Sequence, residues 1–470
     1  LELRLGGPFA WSTPVDSVRW CALALGLATL LVRRRIPASR LRFGTRLAPL
    51  VAALLSVGYV VHYLRGGPRI IDATAYFLEA RLLADGHLTL PLDEPEHATL
   101  GRFLVRTDWN GPSASVIFPP GWPFVLGLGF LVGAPLAVGP VIAALLTRVT
   151  AELAREAAVA FGDGPHIEEA AAAASWMSVG SATLRYHTAD TMSHGFAALC
   201  VATFLLAGVR ALRRATWTWG ALSGLAWGFL FATRPTSALA VTTASVVAGG
   251  LGVVSLPGRD HRVRALVTFA AGAAAPLFLW FLYQRAASGS WLGTAQGRYY
   301  ATSDGPPGCF RYGFGQGIGC IGEHGDFVAH NLTQGYGLPE ALRTTGRRLL
   351  LHVTDVVNFG PLFVLVPIGA RRGRRLGWLL GLAIAAHILA YAPFYFDGSY
   401  PGGGARMFAD VLPLEHVLAA LALGAPRDAT LAPRPTDEWA RRLRHVVAWM
   451  GLGFAFGSGA EHASLREREG

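Results

Sequence analysis

The chain has 470 residues, 52% of them hydrophobic and only 15% charged, with a formal net charge of +11 and no lysine at all. A soluble chain carries roughly a quarter charged residues, so a soluble domain is excluded, and long unbroken apolar runs exclude a β-barrel, whose strands alternate. The basic excess would suggest nucleic acid in a soluble protein; here the arginines cluster between apolar runs, where they set orientation in a bilayer, and no nucleic-acid partner is implied.

Apolar stretches of about 17 to 25 residues recur, the length a helix needs to cross a hydrocarbon core of ~30 Å. They predict spans near 18–33, 46–64, 136–151, 168–184, 192–209, 217–233, 236–255, 264–284, 347–368, 376–395, 410–425 and 446–460. The expected fold is an all-α polytopic membrane protein of about 11–12 transmembrane helices, a single integral membrane domain over 1–470. Arg-rich sequence follows the first apolar run without a small-residue cleavage site, which argues against a cleaved signal peptide.

The basic clusters decide sidedness. They run from Arg33 to Arg46, then Arg148 and Arg155, Arg210 to Arg214, Arg259 to Arg264, Arg371 to Arg375 and Arg427 to Arg444. All share one side only if the apolar stretch 117–133 does not span. Its start, Phe118-Pro119-Pro120-Gly121-Trp122-Pro123, suits a helix lying at the interface or re-entering. With the clusters cytoplasmic, three loops lie outside: 65–135 with its interfacial helices, 285–346, and 396–409. The short connectors Arg185–Thr191 and Thr233–Ser237 join them there. Cys309 and Cys320 both fall in the 285–346 loop, where an oxidising compartment permits a disulfide, although spacing alone does not fix its geometry.

The first outer loop carries the acids. On a helix, Asp72 shares a face with Tyr76 and Glu79, beside an apolar stripe of Ile71, Ala75, Leu78 and Leu82. A partly desolvated carboxylate there can accept a proton from an attacking hydroxyl; equally, Asp72 can serve as the N-cap of a helix over Ala73–Asp85. Glu79 and Glu94 are the candidates for a second carboxylate, although Asp93-Glu94-Pro95-Glu96 also reads as a solvated turn.

Basic residues on the outer side are informative because few are expected there. Arg234 stands in Ala232-Thr233-Arg234-Pro235, and Arg406 follows three glycines and Ala405, just ahead of Asp410. A guanidinium at the outer interface can grip a phosphate bidentately, or it can simply snorkel to headgroups. His194 enters a span from the outer side. Arg298, Arg311 and His324 lie among aromatics and glycines of the second large loop, a composition suited to sugar stacking or to packing on the bundle. Asp72 and Glu79 are thus the catalytic candidates. Tyr76, Glu94, His194, Arg234, Arg298, His324, Arg406 and Asp410 are the substrate-binding candidates. No metal-ligand spacing, phosphate-cradling lysine loop or nucleophile elbow is present.

The run Asp72-Ala73-Thr74-Ala75-Tyr76-Phe77-Leu78-Glu79-Ala80-Arg81, with Phe118-Pro119-Pro120-Gly121-Trp122-Pro123 after it, resembles the first extracytoplasmic loop of GT-C-fold glycosyltransferases. That superfamily includes protein O-mannosyltransferases and the aminoarabinose transferases of lipid A. The resemblance implies a GT-C-like bundle and an inverting transfer from a polyprenyl-phosphate-linked sugar, with Asp72 as general base. It further implies a bacterial inner-membrane location, an extracytoplasmic active site and a glycan, lipid or protein acceptor; a divalent cation stays open. Ala73 departs from the pattern, since many relatives carry Glu there, and no soluble C-terminal domain follows. A transporter would show internal repeats and mid-span charges, whereas charges here gather at span ends. A polysaccharide polymerase or ligase shares the lipid-linked donor but places its large loop late in the chain.

Overall fold

In a bilayer a backbone must satisfy its own polar groups, so the apolar stretches of this chain fold as helices. The computed structural model describes residues 38–92, 101–161, 167–214, 216–252, 258–302, 308–400, 403–423 and 442–451. In chain order the main helices are α1 (Ala38–Gly58), α2 (Ile71–Ala84), α3 (Gly121–Leu131), α4 (Val138–Phe161), α5 (Ile167–Gly180), α6 (Ala182–Ala189), α7 (His194–Arg214), α8 (Trp217–Thr233) and α9 (Pro235–Gly250). They continue as α10 (Arg259–Ser288), α11 (Ala295–Thr302), α12 (Ile321–Asn331), α13 (Leu338–Asp355), α14 (Leu365–Arg372), α15 (Arg374–Ala390) and α16 (Leu412–Ala422).

Among the described residues, four helices are long and apolar enough to cross a membrane: Leu41–Val61, Pro135–Ala160, His194–Arg214 and Arg259–Ser288. The pair Leu338–Asp355 and Gly360–Arg372, bent by 96° at its break, makes a fifth if counted as one span. The spans expected near 217–233, 236–255 and 376–395 are helices of 17, 16 and 17 residues. The stretch near 410–425 is an 11-residue helix buried along its whole length. The stretch 18–33 lies outside the described residues.

Two expectations are corrected, an unbroken helix over 168–184 and the place of Arg185 in a connector, whereas 117–133 is non-spanning as expected. The stretch 168–184 is not one helix. It breaks at Ser181, whose hydroxyl accepts the N–H of Leu184 at 3.3 Å and starts α6 afresh. As a result Arg185, expected in a short connector, lies on α6 fully buried, donating to the carbonyl of Ala52 at 3.0 Å. The stretch 117–133 contains only the 11-residue α3, about 16 Å of helix and too short to span. It is held by its Trp122 indole, which donates to the Thr191 carbonyl at 2.7 Å.

Short strands interrupt the all-α pattern between α2 and α3. β1 (Leu90–Pro91), β2 (Leu104–Thr107) and β3 (Ser113–Val116) form an antiparallel sheet in the order β1-β3-β2. The β2–β3 hairpin turns at Asn110 and Gly111, with φ of 53° and 104°, a conformation this residue pair adopts readily. A second pair, β4 (Ser399–Tyr400) with β5 (Gly403–Ala405), precedes Arg406.

Small residues let the helices approach closely. A Cβ at Gly224 would stand 1.9 Å from the Phe269 carbonyl oxygen, and one at Gly272 would stand 2.0 Å from that of Ala221. α8 and α10 therefore meet backbone to backbone, as membrane helices do at small-residue contacts. The charged end of the bundle is equally defined. Arg210 pairs with Glu152 at 2.9 Å and Glu156 at 2.6 Å, and Arg155 pairs with Glu168 at 3.0 Å. Counted along α7, this cluster lies about 24 Å from His194.

Candidate active site

At the opposite end of the bundle a cavity of about 750 Å³ opens between the two large loops. Asp72 reaches it from the first turn of α2, where the N-terminal helix dipole favours an acid. The N-cap of that helix is Ile70, which makes no side-chain cap bond, so the capping role considered for Asp72 is not the one it has. Its carboxylate instead accepts from Arg406: Arg406 Nη1 lies 3.0 Å from Asp72 Oδ2, across 334 residues of sequence. Tyr76, one turn on, lines the same cavity, stacks on Phe118 with centroids 4.4 Å apart and bonds to the Ser193 hydroxyl at 3.3 Å.

Arg234 occupies the junction of α8 and α9, where Pro235 begins the new helix. Its Nε lies 2.8 Å from Asp410 Oδ2, and its Nη2 donates to the Tyr391 hydroxyl at 2.7 Å. Ser237 donates to the same Asp410 oxygen at 2.6 Å, and His194 Nδ1 stands 3.7 Å from Oδ1. Asp410 is completely buried beneath the cavity, whereas Arg234 and His194 line it. Tyr391 and Ser237 were not singled out by sequence; each is an ordinary apolar-helix residue until Arg234 and Asp410 are placed beside it.

The outer wall comes from the second loop. The Cys309–Cys320 disulfide closes the segment containing Phe310, Arg311 and Tyr312, all of which line the cavity. His324 follows it, stacked on Phe396 with centroids 3.8 Å apart and bonded through Nδ1 to the Tyr395 hydroxyl at 2.8 Å. Burial pulls its imidazole down to about 4. Glu323 takes Arg102 from the first loop and the Tyr299 hydroxyl, the latter at 3.2 Å, tying the two loops together at the cavity rim.

Of the expected site residues, the cavity thus gathers Asp72, Tyr76, His194, Arg234, His324 and Arg406, with Asp410 directly behind. Two others are placed elsewhere. Glu79 shares the helical face of Asp72 but sits about 10 Å further along the axis, so it passes behind the cavity to a buried position beside Tyr283. Burial raises its carboxyl well above the usual carboxylate range. Arg298 is half-buried and does not line the cavity, although its neighbours Gln296 and Gly297 do. Glu94 lies outside the described residues. Among the described residues, no group of three or more His, Cys, Asp or Glu side chains is placed to hold a metal ion.

No family model and no curated protein matches the chain. Its fold is similar to that of ArnT from Cupriavidus metallidurans bound to undecaprenyl phosphate, with a TM-score of 0.52 at 14% identity, over 91% of this chain and 78% of that one. Weaker matches are an Archaeoglobus fulgidus oligosaccharyltransferase in complex with zinc and sulfate (TM-score 0.46, 15% identity, 85% of this chain and 53% of that one) and ArnT from the same Cupriavidus species in the apo state (0.47, 12%, 84% and 73%). At this identity the likeness is one of fold: the chain is a polytopic helical membrane protein with a GT-C-like bundle.

Proposed function

We propose that this chain is a membrane glycosyltransferase that moves a sugar from a polyprenyl-phosphate-linked donor to a hydroxyl acceptor on the extracytoplasmic face. The observation that carries this is the convergence of Asp72 with Arg406 and Arg234, three residues from distant parts of the sequence, on one large cavity. The ArnT structure with the similar fold holds undecaprenyl phosphate, a ligand whose phosphate two guanidinium groups suit. The outward assignment is supported by the disulfide in the cavity wall and by the arginine-rich far end of the bundle.

In the reaction, the acceptor oxygen attacks the anomeric carbon and gives its proton to Asp72, while the bond to the lipid phosphate breaks and its electron pair leaves with the phosphate. Arg406 and Arg234 stabilise that departing charge. Arg406 neutralises Asp72 at 3.0 Å. A phosphate that draws the guanidinium toward itself releases the carboxylate, so donor binding frees the base. The test is Asp72→Asn in a membrane transfer assay with polyprenyl-phosphate sugars: turnover is lost at normal expression. A variant that transfers at the parent rate removes Asp72 from the chemistry.

A further inference from the structure

We infer that Asp355 is a positioning residue that sets the place of Arg406, and through it the Asp72–Arg406 pair. The inference rests on the phosphate-binding role proposed for Arg406. Asp355 is the last residue of α13, where the chain turns by 96° toward Gly360–Arg372. It is 8% exposed and lies outside the cavity lining, so it acts through other groups.

Its two carboxylate oxygens have different tasks. Oδ1 accepts the Thr183 hydroxyl at 3.1 Å, and Oδ2 accepts the backbone N–H of Ala405 at 2.9 Å. Ala405 immediately precedes Arg406 and is itself preceded in sequence by three glycines. Glycines bring no side chain to hold the strand and many backbone states to choose from, so the approach to Arg406 needs an external hook. Asp355 supplies one.

The hook is anchored in a rigid seam. At the bend, Asn358 (φ 60°) accepts from the N–H of Ala182 at 3.0 Å and donates to the Gly180 carbonyl at 2.7 Å. The Ser181 hydroxyl donates to the Asp355 carbonyl at 3.5 Å. The bend after α13 and the break between α5 and α6 therefore brace each other, and Asp355 extends that brace to the backbone of the arginine that meets Asp72. A hydrogen bond that fixes a charged group in this way carries about a tenfold effect or more on what the group binds.

The test uses the full chain in lipid nanodiscs, with undecaprenyl phosphate as the probe and the thermal midpoint of each variant measured alongside. Arg406→Ala is expected to weaken binding about tenfold or more. Asp355→Leu, which keeps the bulk and loses both acceptors, weakens it to a similar degree, and the double variant is no weaker than Arg406→Ala alone. Asp355→Asn binds within about threefold of the parent, because its amide oxygen still accepts from Ala405 while its NH2 donates to the Thr183 hydroxyl. Thr183→Val lowers the midpoint but leaves affinity in place. If the leucine variant does not fold, Asp355→Ala serves the same comparison. Parent affinity in Asp355→Leu beside a weakened Arg406→Ala overturns the positioning role, as does additivity in the double variant. Parent affinity in Arg406→Ala overturns the phosphate role of Arg406 itself, and the inference with it.

Discussion

The Asp72–Arg406 and Arg234–Asp410 pairs hold a carboxylate and a guanidinium at 3.0 and 2.8 Å, yet they differ in what surrounds them. Asp72 and Arg406 keep 17% and 14% of their side-chain surface open, against 0% for Asp410 and 11% for Arg234. Asp410 is enclosed beneath the cavity with Ser237, and Arg234, which lines the cavity, is also held by Tyr391, whereas both members of the Asp72–Arg406 pair line the cavity. An ion pair that water and ligand can reach is weak and exchangeable; one whose partner is fully buried is costly to break. Of the two guanidinium groups lining the cavity, only Arg234 has a fully buried partner, which suits the proposed reaction, in which one arginine stays in place and the other leaves the base.

The largest effect expected is Asp72→Asn, a loss of turnover on the order of 10²–10⁴-fold with a small change in thermal midpoint, measured by transfer assay and unfolding in detergent. Asp410→Asn should do the reverse and act first on stability. It leaves the Arg234 guanidinium without its charge partner, at a cost of about 3–5 kcal/mol, read as a large drop in midpoint. Arg406→Ala, at the open pair, should cost less than about 1 kcal/mol of stability. Equal midpoints for Asp410→Asn and Arg406→Ala would erase the distinction between the pairs.

Away from the pairs, Cys309→Ser with Cys320→Ser should destabilise the outer wall by about 2–3 kcal/mol, matched by reduction of the parent with dithiothreitol. The smallest effect expected is at His324. Its folded imidazole is held down to about 4, so the unfolded chain takes up a proton first as pH falls below about 6.5. The stability present above that value should decline between about pH 6.5 and 4, and His324→Gln should flatten that part of the midpoint–pH curve.

Asp72, Arg234 and Arg406 were legible in sequence because each breaks a local expectation: an acid beside an apolar stripe, and arginines standing apart from the basic clusters. Glu79 shows where the same logic stops. Helical phase puts it on the face of Asp72, but phase says nothing about depth, and two turns along the axis it is behind the cavity beside Tyr283. Arg185 was read as the start of a connector because the apolar run ends near it; the Ser181 break starts a new helix instead, and the side chain is sealed against Ala52. Tyr391 and Asp355 gave no signal, since their partners are 157 and 50 residues away.

Hydropathy determined by itself that the chain is a helical membrane protein with two substantial loops between its helices, because burial of apolar length is a local, additive property. Which carboxylate meets which guanidinium, and how deeply each pair is sealed, was decided only by the packed bundle. Those contacts depend on distance and solvent exclusion between segments hundreds of residues apart, and no local pattern carries that information.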